Sequence, residues 1–389
     1  MKRVCFSEAT LGNARYHVRG QASSDHDNED RSLTTTEENY CACAVFDGHD
    51  GSSAVDLANS QFRRQLLNVC GEDHIRSKLT ECFRDVEYKF FNDMQLLIEE
   101  RSILQAALSG MKSYQAYQMY PYEVARLQEL ESLISGGCTA VVAVVCGNIL
   151  YVANVGDSRA VVVYRTPNGA LETLQLSTDH DVNNKEELKR LEKLGLDPEE
   201  LKRAGRLGPQ ENTRSIGDYN IKGGYQSVDT LSHASGPPGT AEPSLNMVNI
   251  DESFLYLMVM SDGVYKSIEA AVDEAQTIGA NQVLANMVHT YAQTPGVGFS
   301  SIAQSTLDQV AHLHEEAFQR SAQQDARSPK AIACRKRDDM TLVLCTFSDH
   351  PSEVHPTKCC CALLIMGGAG QGYNGGPQID TDVGFQVRN

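Results

Sequence analysis

Tyr40-Cys41-Ala42-Cys43-Ala44-Val45-Phe46-Asp47-Gly48-His49-Asp50-Gly51 is the stretch from which the fold is read. Its first seven residues are small or apolar without alternation, the pattern of a strand buried on both faces. Asp47 stands where such a strand leaves the core. Gly48 permits a sharp turn and leaves its carbonyl open to close approach. A carboxylate and a bare carbonyl at a strand end are hard oxygen donors, the kind magnesium and manganese take. His49 beside them is able to move a proton near neutral pH. Asp-Gly alone is also an ordinary hairpin dipeptide, so the reading depends on whether other carboxylates reach the same place.

The chain has 389 residues, 41% of them hydrophobic, which is enough for a large core. A net charge of −17 argues against a nucleic-acid backbone as partner. Twelve cysteines are scattered, and Cys41, Cys43, Cys138, Cys146 and Cys345 sit inside apolar runs. That is the pattern of buried thiols in a reducing compartment, hence of a cytoplasmic or nuclear protein, and no CxxC zinc pair is present. No run reaches the ~18 apolar residues of a membrane span. The segment from Met1 to Phe6 lacks the apolar core of a secretory signal.

Working outward, residues 1–39 read as polar and rich in turn formers. Their charged run Asp25-His26-Asp27-Asn28-Glu29-Asp30-Arg31 lies close enough to bring acids to the end of the 40–46 strand. Ser52 or Ser53 caps a helix carrying Val55, Ala58, Phe62 and Leu66. A longer helix keeps Ile75, Leu79, Phe83, Val86, Phe90, Met94 and Leu97 on one face, and a third runs from Tyr122 to Ile134. Thr139–Val145, Ile149–Asn154 and Ala160–Tyr164 read as an antiparallel meander with turns at Gly147-Asn148 and Gly156-Asp157. Asn183 with Glu186 marks a helix start. Residues 205–245, rich in Gly, Pro and Ser, read as a long surface segment. Phe254–Met260 is a strand ending in Ser261-Asp262-Gly263. Helices follow around 282–293 and 301–320, and Asp338-Asp339 opens the strand Thr341–Phe347. From about Ser348 periodicity is lost. Residues 349–389, with Cys359-Cys360-Cys361 and a glycine-rich run, read as a disordered tail.

Asp47, Asp262 and Asp338 therefore each border an apolar strand, with Glu29-Asp30 just ahead of the first. Antiparallel strands interleaved with helices indicate an α+β layered fold. Carboxylates gathered at one edge of packed sheets repel one another, and divalent ions are the natural compensation. Two such ions roughly 3.5–4 Å apart suit in-line attack of water on a phosphate ester. His49 is then placed to protonate the leaving oxygen.

At this point the residues match a family. The ordered set Glu29-Asp30, Asp47-Gly48-His49-Asp50-Gly51, Gly137 to Val142, Val155-Gly156-Asp157-Ser158-Arg159-Ala160, Asp179-His180, Arg214 with Gly217-Asp218, Ser261-Asp262-Gly263 and Asp338-Asp339-Met340-Thr341 resembles the metal-dependent type 2C (PPM) protein phosphatases over about residues 10–348. The resemblance implies a four-layer α-β-β-α sandwich with two central antiparallel sheets in residues 1–348. It also implies two Mg or Mn ions on Asp47, the Gly48 carbonyl, Asp262 and Asp338. Glu29 and Asp30 assist directly or through water, and Asp157 belongs to a third-metal site. Leu130 to Gly137, Leu150 to Gly156, Arg214 to Tyr219, Gly263 to Lys266 and Asp339 to Thr341 look closest to one pseudophosphatase branch, the TGF-β-activated-kinase-binding adaptors.

Three departures from the active pattern stand out. Active members carry a phosphate-binding arginine four residues before Glu29, where this chain has Asp25; Arg15, Arg19 and Arg31 have the wrong spacing to replace it. The usual Asp-Asn of the last motif is Asp338-Asp339. The third-metal aspartate after Asp262 is Lys266, which impairs that third site whether its ammonium points inward or to solvent. Two functions follow from the resemblance. One is a weak metal-dependent Ser/Thr phosphatase acting on phosphoproteins in a kinase pathway. The other is a catalytically silent adaptor that binds and activates a MAP kinase kinase kinase.

Overall fold

The computed structural model describes residues 4–18, 20–66, 74–273 and 275–347. The chain opens with β1 (Cys5–Leu11), β2 (Ala14–Arg15), β3 (Arg31–Thr36) and β4 (Tyr40–His49). Helices α1 (Ser53–Leu66), α2 (Ile75–Leu108), α3 (Ser113–Met119) and α4 (Pro121–Ser135) follow. Next come β5 (Gly137–Cys146), β6 (Ile149–Val155), β7 (Arg159–Arg165) and β8 (Leu171–Gln175). The middle of the chain holds α5 (Lys185–Glu192), α6 (Pro198–Ala204), β9 (Ile216–Gly217), β10 (Ser244–Asn249) and β11 (Phe254–Met260). The last part holds α7 (Asp262–Ala271), α8 (Ala275–Ile278), α9 (Ala280–Gln293), α10 (Ile302–Asp325), α11 (Pro329–Ala333), β12 (Lys336–Arg337) and β13 (Met340–Thr346).

One sheet has the order β1-β13-β11-β7-β8, and the other β10-β6-β5-β4-β3 with β9 added to β5. Every ladder in them is antiparallel. Side chains alternate between faces along a strand, and the core clusters follow that alternation. Cys41, Cys43 and Val45 of β4 pack with Val141 and Ala143 of β5, Leu257 and Val259 of β11, and Val343 and Cys345 of β13, in the layer between the sheets. Ala42, Ala44 and Phe46 point the other way, onto Val55 and Phe62 of α1 and Phe83 and Val86 of α2. On the far side, Met258 and Met260 of β11 and Leu342 and Leu344 of β13 meet Val264 of α7, Leu284 of α9 and Leu307 of α10. The architecture is the expected four-layer α-β-β-α sandwich.

Several local expectations are corrected. Residues 1–39 are not all turn: they contain β1 and β3, whose mixed polar sequences pair at the outer edges of the two sheets and so need little apolar alternation. The expected meander is a hairpin followed by a crossing. β5 pairs β6, but β7 joins the opposite sheet beside β11. Gly156 makes that crossing at φ +86, with a Thr139 methyl 2.5 Å from where a Cβ would stand. α5 is capped by Asn184, whose side chain accepts from the Glu186 and Glu187 amides, one residue beyond the expected Asn183. The tail expected over 349–389 lies outside the described residues.

Residues 205–245 are more than surface. Leu207, Ile216, Ile221 and Leu231 are fully buried, three of them beside Leu188 and Leu191 of α5. An ion cluster locks this lobe. Glu187, 1% exposed, accepts from Arg214 Nε at 2.9 Å, from Arg190 Nη2 at 3.0 Å and from Thr213 Oγ1 at 2.8 Å. Burial alone would raise its carboxyl pKa, but the two guanidiniums and the hydroxyl outweigh it and hold the group at about 2. A folded pKa below the ordinary ~4.3 contributes stability at neutral pH that is lost as pH falls through the folded value. Glu187→Gln is expected to cost about 2–4 kcal/mol of unfolding free energy at pH 7, because it strands two charged partners. Urea melts of the two proteins should converge as pH drops from ~4 toward ~2; a gap that stays constant with pH would rule out the ionic account.

Candidate metal centre and active site

The acids arrive at one edge of the sandwich from five separate pieces of chain. Asp47 is near the end of β4, Asp157 lies in the β6–β7 crossing, and Asp262 opens α7 directly after β11. Asp338 sits between β12 and β13, and Glu29-Asp30 lead into β3. Strand ends at a common edge bring them together. β4 continues through Asp47 to His49, so Gly48 is not a turn; the reversal falls at Asp50 and Gly51, which have positive φ. Gly48 is instead required by crowding, since a Cβ there would stand 2.7 Å from the Glu29 carbonyl oxygen and 3.0 Å from Val55.

Their electrostatics show that they repel one another. Asp47 has its pKa raised well above the usual carboxylate range, first by burial and then by Asp262, Asp30, Asp338 and Asp157. Burial and the neighbouring Asp157 push Asp262 up to about 6 against the opposing pull of Lys266. Asp30 is pushed up to about 7 by burial, with Asp339 and Asp262 adding to it and hydroxyls of Ser261 and Thr341 opposing. Two buried carboxylate oxygens, Asp30 Oδ1 and Asp157 Oδ1, have no hydrogen-bond partner among the described residues. An all-oxygen set with orphaned lone pairs and mutual repulsion fits hard divalent cations.

Other contacts hold these acids in place, and sequence reading missed the supporting roles of Ser261, Tyr265 and Asp339. Ser261 Oγ donates to Asp30 Oδ2 at 2.7 Å and accepts from the Thr341 amide at 2.9 Å, which links β3, α7 and β13. Tyr265 OH donates to Asp157 Oδ2 at 3.2 Å, while the Arg159 guanidinium lies 3.5 Å over its ring. Glu29 Oε1 accepts from the Gly51 amide at 2.9 Å. Asp339 Oδ2 accepts from the Glu29 amide and Oδ1 from the Asn13 amide. Among the described residues, the group of three acid or histidine ligand atoms that all lie within 4.8 Å of one another is His26, Asp338 and Asp339, and both Asp339 oxygens already position the 13 and 29 backbones. The Asp339 carbonyl presses on Gly263, where a Cβ would be only 1.9 Å away. Gly263→Ala is therefore expected to cost at least about 3 kcal/mol, at the upper end for overpacking, and a thermal melt within a few degrees of wild type would exclude this contact.

His49 Nε2 is 2.7 Å from Asp218 Oδ1. Burial disfavours the imidazolium, yet Asp218 outweighs it and raises the His49 pKa to about 9. Asp218 is itself buried, takes a left-handed φ of 58, and accepts from Gln210 Nε2 at 2.7 Å. Lys266 does not point away to solvent. Its Nζ is 2.5 Å from Asp262 Oδ2, 3.2 Å from Asp157 Oδ2 and 3.3 Å from Glu211 Oε2. Three other motif residues turn out to be structural: Arg214 is held by Glu187, Asp179 pairs with Arg159 at 2.8 Å, and buried His180 binds the Gly156 carbonyl and Ser244. Of the substitute arginines, Arg15 is bound bidentately by Asp25, and Arg31 donates through Nε to Asp56 at 2.8 Å. Arg19 lies outside the described residues.

A family model described as protein phosphatase 2C matches residues 17–298. The chain belongs to the protein phosphatase 2C family. Members of this family are metal-dependent in general. Two relatives are a probable protein phosphatase 2C 40 of Arabidopsis thaliana, 28% identical over 61% of this chain and 51% of its own, and a TGF-beta-activated kinase 1 and MAP3K7-binding protein 1 of Caenorhabditis elegans, 27% identical over 56% and 50%. The second agrees with the adaptor branch that the sequence resembles. The chain thus spans about half the length of these two relatives. A solved C. elegans sex-determining protein has the same fold, with a TM-score of 0.52 at 16% identity, covering 88% of this chain and 64% of its own.

Proposed function

We propose that this chain is a metal-dependent protein serine/threonine phosphatase of low activity that works in a kinase signalling pathway of the cytoplasm or nucleus. The observation that carries the reading is the convergence of Asp47, Asp157, Asp262, Asp338 and Asp30, whose repulsion and orphaned oxygens fit a pair of divalent cations. Asp47, Asp262, Asp338 and the Gly48 carbonyl would hold Mg or Mn, with Glu29 and Asp30 assisting. Bound there, the ions supply an activated water and neutralise phosphoryl charge. His49 carries the proton for the leaving alkoxide. With Nε2 held by Asp218, Nδ1 is the nitrogen left to face a substrate, and the raised pKa keeps the ring charged at neutral pH. The experiment is hydrolysis of p-nitrophenyl phosphate against manganese concentration, beside Asp262→Asn. Turnover that depends on manganese and disappears in the variant supports the reading.

One observation favours the second reading, a silent adaptor for a MAP-kinase-pathway kinase. The Lys266 ammonium lies on two of the acids a metal would need. If no turnover appears at any manganese concentration, and such a kinase is captured equally by wild type and Asp262→Asn, the adaptor function stands in its place.

A further inference from the structure

We propose that a cavity beside the acid cluster is an anion subsite, which receives an acidic or phosphorylated side chain flanking the substrate's phosphoresidue, with Lys336 as its main ligand. This rests on the reading of the neighbouring site as one for phosphoproteins. The cavity encloses about 480 Å³, and Asp338 and Gly263 form part of its wall, so it opens beside the cluster. A volume of that order takes a whole side chain. An extended peptide advances about 3.3 Å per residue, so a residue next to one held at the acids reaches a contiguous cavity.

Charge identifies the occupant. The chain carries a net −17, yet Lys336 and Arg337 line this cavity beside Asp25 and Asp338, while Lys266, which also lines it, is held by Asp262, Asp157 and Glu211. Lys336 Nζ is 2.9 Å from Asp25 Oδ2, and Arg15 already binds the same carboxylate at 2.8 and 2.9 Å. Two cations share one anion, which leaves a surplus positive charge. Lys336 is 60% exposed on a flexible stem, so its ammonium can turn to an incoming ligand at little cost. Arg337 is buried, and its guanidinium donates to neutral oxygens: the Gly12 carbonyl at 2.7 Å, the Asp338 carbonyl at 3.3 Å and Tyr16 OH at 3.3 Å. A buried cation satisfied only by neutral acceptors projects positive potential into the space beside it. His314 is 2% exposed and forms part of the wall, with its Nδ1 closed off from the cavity's open space.

Binding, not turnover, tests this. The probe is a fluorescein-labelled peptide bearing a phosphonate analogue of phosphoserine, flanked by glutamate in one version and by alanine in the other. Fluorescence anisotropy is read on the full chain with manganese present, at low salt. Wild type is expected to bind the glutamate version about tenfold tighter, the scale of one charge-assisted contact. Lys336→Ala should bring the preference below about twofold and Lys336→Glu should invert it, with Lys185→Ala unchanged. Equal affinities in wild type, a preference that survives Lys336→Ala, or no binding of either peptide would each overturn the subsite. So would an equal loss on both peptides, because Lys336 would then be reading the phosphoryl group itself. The phosphatase reading fails separately, on p-nitrophenyl phosphate, which has no flanking residue.

Discussion

Lys266→Asp is expected to tighten manganese binding by about a hundredfold and Lys266→Ala by about tenfold, each with a matching rise in turnover at limiting metal. From sequence, the lysine was free to point inward or outward, and only an inward ammonium makes the alanine variant a gain. The structure turns it inward, onto Asp262 and Asp157. An ammonium about 4 Å from a cation costs about 4 kcal/mol per unit charge at an effective dielectric of 20. Because the side chain is 43% exposed, screening reduces the repulsion to about 1–2 kcal/mol, or about tenfold in affinity. Aspartate removes the same charge and adds a hard oxygen donor beside Asp157, which accounts for the further factor. Titration calorimetry with manganese checks both variants. An alanine variant that binds metal no better than wild type means that the lysine swings out when the ion arrives and that its charge does no harm.

Asp47→Asn is expected to stabilise the metal-free protein while abolishing stabilisation by manganese and lowering turnover at least about a thousandfold. Asp47 lies among four other carboxylates, so its charge opposes folding until a cation is bound. The same logic fixes the sign of the pH dependence. Asp30 and Asp262 titrate at about 7 and about 6 in the folded chain, above the ordinary ~3.9 of an unfolded aspartate. The folded state therefore binds more protons, and its stability falls as pH rises from ~4 to ~7. Thermal melts in EDTA should show that fall in wild type and a shallower one in Asp47→Asn. Manganese should cancel it in wild type alone, since a ligand that needs ionised acids stabilises more as pH rises. An Asp47→Asn protein that melts lower than wild type in EDTA, or that still gains stability from manganese, contradicts the account.

The layering and the position of the strand-end acids were legible because they ride on central strands. β4, β5, β11 and β13 are buried on both faces, so their apolar runs are continuous, and Asp47 and Asp262 interrupt or follow those runs where the chain leaves the core. Edge strands β1, β3 and β10 were not legible, because each has one poorly covered face and a mixed sequence. The second ring of the site was hidden for another reason. Ser261, Tyr265, Asp218 and Asp339 act on acids remote in sequence, and a hydroxyl beside a strand carries no periodic signal. Asp218 stood inside a quoted motif, but nothing in its neighbours pointed to His49. The neighbouring cavity was equally invisible, since Lys266, Lys336 and His314 come together only through α7, α10 and β12.

β13 is the strand that every other part of its sheet waits for. It lies between β1 and β11, pairing Cys5 with Thr346 on one side and Tyr256 with Thr346 on the other, and Asp338 stands just before it. On a ribosome adding about 5–20 residues per second, the first strand is made long before its neighbour exists. β1 must therefore remain unpaired through most of synthesis, and the sheet closes only by joining segments far apart in sequence, which is intrinsically slow. Assembly of the acid centre is tied to that same late step. A nascent chain that has not yet delivered β13 holds at most part of the acid cluster, so any function of that cluster waits for completion of the domain.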